Sequence, residues 1–173
     1  VQGKLLNQAT VLARIRRSRG QEAAGEGAHE LRRLARKAED ATDVDSLRGL
    51  EGSGAACYFR HLPLAFSRDW GFSRRVRRPP TDPVNAVLSL LYTLLINRCC
   101  AAVRIAGLDP APACLHAAAY GRQSLPLDLV EEFRPMVADT LTISLFNMRM
   151  LRREDFETPP PQDAEAEGGD ADE

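Results

Sequence analysis

DPVNAVLSLLYTLLINRCCAAVRIAG, residues 82–107, decides the architecture. Asp82 followed by Pro83 reads as a helix start, because proline at the first helical position forfeits an N–H that has no partner there anyway. The run that follows is apolar nearly all round and is stopped by Gly107, which predicts a buried central helix. Its most apolar part, 84–96, is interrupted by Asn97 and Arg98, short of the roughly 18 residues a membrane helix requires, so the expectation is no membrane.

Working outward, the same period recurs. Leu5, Ala9, Leu12 and Ile15 mark a first helix that ends near Gly20, with Arg14, Arg16, Arg17 and Arg19 gathered where cations favour the helix dipole. The Gly- and Glu-rich stretch 20–27 breaks the pattern, and Ala28, Leu31, Leu34, Ala35 and Ala38 restart it. Thr42, Asp43 and Asp45 offer caps for a third helix running through Leu47 and Leu50 toward Tyr58. Gly49, Gly52 and Gly54 each cost about 1 kcal/mol relative to alanine there, which implies close packing or a close ligand. Residues 63–80 read as a loop, 108–113 as a Pro-rich connection, 115–120 as a short helix, and Leu127 opens a last helical region reaching Arg153. No segment alternates with period two, so the fold class is all-α. Residues 1–156 form one compact helical domain, and 157–173 a Pro-rich and then acidic, disordered tail.

With 173 residues the chain supplies one core and excludes a multidomain enzyme. The net charge of -1 hides an asymmetry: 162–173, QDAEAEGGDADE, holds six acids and no base, which leaves 1–161 with 23 bases against 18 acids, a charge of +5. The bases are Lys4, Lys37 and otherwise arginine, whose rigid fork matches phosphate oxygens. A polyanion is the partner this charge suggests; a GC-rich genome accounts for the arginines equally well. Cys57, Cys99, Cys100 and Cys114 lack zinc-site spacing and suit a reducing compartment, and the adjacent Cys99 and Cys100 read as small core hydrophobes in their apolar run. Val1 opening directly into helical pattern suggests a chain that begins inside a longer protein.

Three places have side chains suited to chemistry. Asp128, Glu131 and Glu132 share one side of a helix, where they serve either the positive end of the dipole or a cation. Pro135 cannot donate to the Glu131 carbonyl, so a kink is expected beside them. His116, in an apolar patch, is either a core histidine or a ligand. Glu51 stands among glycines and alanines, as a solvated carboxylate or a site residue. Arg74, Arg75, Arg77 and Arg78 crowd the loop before the central helix as solvated charges or as phosphate contacts.

Together these pieces carry a resemblance. Leu50-Glu51-Gly52 through Ala55-Ala56 to Tyr58-Phe59 is the first; Arg77-Arg78-Pro79-Pro80-Thr81-Asp82-Pro83-Val84-Asn85-Ala86 is the second. Gly107-Leu108-Asp109-Pro110, Leu115-His116, Gly121-Arg122-Gln123-Ser124-Leu125 and Asp128-Leu129-Val130-Glu131-Glu132-Phe133-Arg134-Pro135 form the third. In this order and spacing the chain resembles the CRISPR-associated integrase, the catalytic subunit of the spacer-acquisition complex; Lys4, Asn7 and Gln8 fit the start of that family's helical domain.

The resemblance implies a metal-dependent DNA integrase and endonuclease of the prokaryotic cytoplasm that inserts new spacers into the repeat array by transesterification with a DNA 3′-hydroxyl. It implies Glu51, His116 and Glu131 as ligands of Mg2+ or Mn2+, and Asp128 as an accessory catalytic carboxylate. Arg122 and Arg134, with the 74–78 cluster, become DNA contacts, although Arg134 at spacing three also suits an ion pair with Glu131. Asn85 and Tyr58 become supporting residues behind the ligands. The implied partners are double-stranded DNA, as prespacer and as CRISPR repeat, a small ferredoxin-like adaptation subunit, and a second copy in a full-length homodimer. The family's amino-terminal β-rich domain and a further carboxy-terminal helical segment are not matched by this sequence, which reads as the catalytic domain alone. Two other readings stand beside it: a non-catalytic helical DNA-binding or scaffold module, and a general metal-dependent nuclease.

Overall fold

A computed structural model describes residues 1–115 and 123–157. It contains helices α1 (Gln2–Arg19), α2 (Glu22–Glu39), α3 (Val44–His61), α4 (Pro83–Ile105), α5 (Ser124–Arg134) and α6 (Thr140–Asn147), and no strand among the described residues. The segment 157–173 lies outside them apart from Glu157, as does most of the short helix expected at 115–120.

The first three helices form one layer. Gly20 closes α1 in the left-handed conformation at φ 67°, its N–H donating to the Arg16 carbonyl, as a glycine terminus should. The expected break over 20–27 is confined to that turn, and α2 runs straight through Gly25 and Gly27. The reason is packing. A Cβ on Gly25 would meet Arg16 Cδ at 2.5 Å, and one on Gly27 would meet His61 Nδ1 at 2.8 Å and Leu12 Cδ1 at 2.9 Å, so the glycines are where α2 lies against α1 and the end of α3. Gly54 repeats this on α3, 2.1 Å from Leu5 Cδ2. Gly49 and Gly52 differ: nothing stands within 4 Å of either, and Gly52 leaves the face beside Glu51 open.

Asp82 caps α4, its side chain accepting from Asn85 N at 2.9 Å. The helix runs through Asn97 and Arg98 to Ile105, as expected, but against expectation it is, by length and composition alone, apolar enough to cross a bilayer. It is not a buried central helix either. Val84, Val87 and Leu88 enter the core, whereas Leu90, Leu94 and Ile105 are 60, 50 and 88% exposed. Cys99 and Cys100 are therefore half-buried and not core residues.

Pro135 produces the expected irregularity as a π-helical turn over Pro135–Asp139 that joins α5 to α6 without a bend into loop. Thr140 Oγ1 donates to the Pro135 carbonyl at 3.0 Å and so ties the start of α6 back to the turn. Helix α6 stops at Asn147, short of Arg153, and among the described residues only the 3-10 turn Arg153–Asp155 follows. Phe146 is fixed at its end by edge-on contacts with Phe66 and Trp70 and by a stacked Phe156.

Candidate active site

Helices α1, α3 and α5 bring together a cleft of about 190 Å3 that holds Lys4, Gln8, Glu51 and Glu131. Its geometry begins at the start of α1. Gly3 has no side chain because Glu132 Oε1 occupies that space, 2.6 Å from where a Cβ would be. Asn7 Nδ2 donates to the Glu132 carbonyl at 2.8 Å, which fastens α1 to α5. Lys4, about one turn before Asn7, and Gln8, one turn on from Lys4, share a face of α1 that turns toward the cleft.

Two carboxylates meet there on one cation. The Lys4 ammonium pairs with Glu51 Oε1 and, at 2.5 Å, with Glu131 Oε2. The second Glu131 oxygen takes Arg134 Nη1 at 2.5 Å, so Arg134 is the ion-pair partner its spacing allows. Glu131 is 9% exposed and Lys4 8%. Buried carboxylates of like charge require a positive neighbour, and here the protein supplies it from α1. Glu131 Oε2 has only this ion pair and no aligned hydrogen bond, and the buried Gln8 Oε1 has no partner among the described residues. An anionic oxygen and an amide oxygen thus face the cleft underused.

Asp128, the expected accessory carboxylate, engages the backbone that precedes His116. Its Oδ2 accepts from Cys114 N at 2.6 Å and from Leu115 N at 3.0 Å. From the opposite side, Arg48 Nε and Nη2 donate to the Leu115 carbonyl at 3.0 and 2.8 Å. Arg48 precedes Glu51 by one turn of α3, and Asp128 precedes Glu131 by one turn of α5. The backbone at 114–115 is therefore gripped from both helices that carry the carboxylates. The next residue, His116, and also Arg122, lie outside the described residues. Among the described residues no three His, Cys, Asp or Glu side chains converge as a ligand group.

Beneath the cleft lies a polar cluster that sequence reasoning missed in part. Asp139, 1% exposed, accepts from Tyr58 Oη at 2.9 Å and Tyr92 Oη at 2.6 Å. Tyr58 thus supports Asp139 and touches neither Glu51 nor Glu131 by hydrogen bond. Burial pushes the Asp139 carboxyl up to about 6, against the two tyrosine hydrogen bonds and the nearby Arg134 and Arg75 charges. Arg134 lies over the Tyr92 ring at 4.7 Å and Arg75 at 5.3 Å. A path of contacts leads from Asp139 through Tyr92 and Arg134 to Glu131.

Because its folded value is raised above the usual carboxylate range, Asp139 keeps a proton between about pH 4 and 6 that the unfolded chain gives up. Its contribution to stability is full below about pH 4 and is lost as pH rises through 6, about 3 kcal/mol in all. Asp139→Asn removes that dependence. The difference in urea-unfolding free energy between parent and variant should shift by about 2 to 3 kcal/mol from pH 4 to pH 7, in the variant's favour as pH rises; a constant difference would show an unperturbed carboxyl.

The basic loop divides. Arg75 is half-buried, donating to Asn85 Oδ1 at 2.8 Å and Ser89 Oγ at 2.9 Å, and desolvation lowers its pKa. Asn85 in turn spends its amide on the Arg74 carbonyl and Asp82. Together they pin the loop to the start of α4, leaving Arg74, Arg77 and Arg78 exposed. Arg77 lies at the cleft's edge.

Comparison with known proteins gives the chain's relatives. The profile of the family described as CRISPR associated protein Cas1 matches residues 1–163. A CRISPR-associated endonuclease Cas1 of Thermus thermophilus is 47% identical over 132 residues, 76% of this chain and 40% of that protein. One from Rhodospirillum rubrum is 45% identical over 169 residues, covering 90% and 48%. Among solved structures, a partial Cas6-RT-Cas1–Cas2 complex superposes with a TM-score of 0.75 at 30% identity, over 90% of this chain and 49% of that one. A casposase bound to integration product does so at 0.74 and 27%, over 90% and 43%. The chain spans somewhat under half the length of these proteins, and by sequence pattern, identity and fold it belongs to the Cas1 family of CRISPR-associated proteins.

Proposed function

We propose that this chain carries the divalent-metal centre of a DNA integrase and endonuclease of CRISPR adaptation, with Glu51, Glu131 and His116 as ligands. The observation that supports it is the convergence of Glu51 and Glu131 on a single cation inside a cleft with an unpartnered amide oxygen. The donor set fits Mg2+ or Mn2+, which favour oxygen-rich coordination and tolerate one imidazole. Such an ion supplies Lewis acidity at a phosphoryl group and lowers the pKa of a bound water or hydroxyl.

The chain's own residues do the rest. Glu51 and Glu131 provide the anionic oxygens, and Arg134 holds Glu131 in its rotamer through the second oxygen. Arg48 and Asp128 hold the backbone that leads into His116, so the third ligand is delivered from a fixed point. Arg77, Arg74 and Arg78 give the DNA backbone a positive edge at the mouth of the cleft. A DNA 3′-hydroxyl as nucleophile gives strand transfer; water gives cleavage.

Further parts of the reading draw on the relatives. The casposase complex contains an integration product, and Cas1–Cas2 complexes are among the fold's neighbours. A small ferredoxin-like subunit of that kind, double-stranded prespacer and repeat DNA, a homodimer of the full-length protein and a prokaryotic cytoplasmic setting are proposed accordingly. The test is strand transfer on branched DNA, with this chain and its full-length parent, in Mg2+, Mn2+ or chelator. Products should require the divalent ion and vanish in a folded His116→Ala variant of the parent; metal-dependent products from that variant would remove the imidazole from the ligand set.

A further inference from the structure

A second pocket, about 430 Å3, lies where the loop after α3 meets the chain leaving α6, and shares no lining residue with the cleft. Arg68, Arg149, Arg152 and Arg153 line it over a floor that includes Trp70. Of the two acids beside them, Glu154 pairs with Arg152 at 3.3 Å, and Asp69 is engaged with Gly71 N at 2.8 Å. Arg153 donates to the Asp69 carbonyl and lies over Trp70. The side chains of Arg68 and Arg149 have no hydrogen bond, ion pair or ring contact among the described residues.

Arg149 carries the decisive feature. It is the non-glycine residue with positive φ, 59°, among those described. It occupies the position after the α6 cap: Met150 N donates to Leu145 O and Arg149 N to Phe146 O, a helix terminus that glycine fills without strain. An L-residue there has a steric cost, so the guanidinium is held at a point the backbone alone would not choose it for. Two forks without protein partners, over an apolar floor, suit the oxygens of a phosphate.

We propose that this arginine pocket binds a backbone phosphate of the same duplex on which the carboxylate cleft acts, an inference that rests on the DNA reading above. One loop links the two places: Arg68 lines the pocket, and Arg77, nine residues later, lines the cleft. Nine residues span at most about 30 Å, or about nine base-pair steps of B-DNA, so a single duplex reaches both ends of the loop.

Arg149→Gly separates binding from folding, because glycine accepts this backbone conformation. Alone or with Arg68→Gln it should keep or raise Tm. The double variant should bind a fluorescent duplex about tenfold more weakly at low salt, and its plot of log affinity against log salt should be shallower by about 0.9, the value for one lost phosphate contact. An unchanged slope would overturn the proposal, and a gain in affinity would assign the pocket to the chain's own acidic 162–173 segment, overturning it as well. Parent protein that binds no duplex at all would sink the DNA reading itself; normal binding by the parent with an unaltered slope in the variants sinks the pocket alone.

Discussion

Replacing Glu131 by glutamine should lower metal-dependent cleavage of branched DNA by at least about a thousandfold, equivalent to about 4 kcal/mol of transition-state stabilisation, while DNA remains bound. Glutamine keeps the length of the side chain and one carbonyl acceptor, so Arg134 retains a partner and α5 keeps its packing. It removes the negative charge that Lys4 now balances and that a divalent ion would require. Circular dichroism and duplex binding provide the control for folding. A folded variant that cleaves within tenfold of the parent in Mn2+ would take Glu131 out of the metal centre, whatever the family pattern.

Lys4→Met should show the second large effect, in stability. Methionine fills similar volume but leaves Glu51 and Glu131 facing each other without their shared cation. Removing one member of a buried charge group costs about 3 kcal/mol, which for a domain of this size is a fall of about 6 to 12 °C in Tm. In chelator the loss should be complete; in millimolar Mn2+ most of it should return, because a divalent ion takes over the charge. An equal loss with and without the ion would show that Lys4 is a structural counterion and that the metal binds elsewhere.

Much of the fold was legible because its signals are local. Asp82-Pro83, Gly20 and the heptad-like spacing of leucines and alanines act within one or two turns, and the helices start and stop accordingly. The failures came from contacts between helices. Gly25 and Gly27 break an isolated helix on paper, yet they lie inside α2 because Arg16 and Leu12 of α1 approach its backbone there. The apolar α4 looks central by composition, but burial depends on what surrounds it, and Leu90 and Leu94 face outward.

The site divides in the same way. Residue type and spacing singled out Glu51, Glu131 and the alternative role of Arg134, but left the two carboxylates with a solvated or dipole reading as well, and only the family resemblance gave them a ligand role. Lys4 was not, although one of only two lysines among many arginines is a signal in retrospect: a compact ammonium fits between two carboxylates where a planar fork does not. Asp128 as a clamp on 114–115 depends on a loop approach that no helical periodicity reports.

The π-helical turn at Pro135–Asp139 makes the end of this domain intolerant of a change that helices usually absorb. A π turn is an α-helix with one residue to spare, and losing that residue would restore a regular ladder. Everything beyond it would then rotate by about 100°. Asp139 would swing away from Tyr58 and Tyr92, and Phe146 would leave the aromatic cluster. Between Glu131 and Phe146 the chain should therefore accept substitutions far more readily than deletions, and length itself is under constraint there.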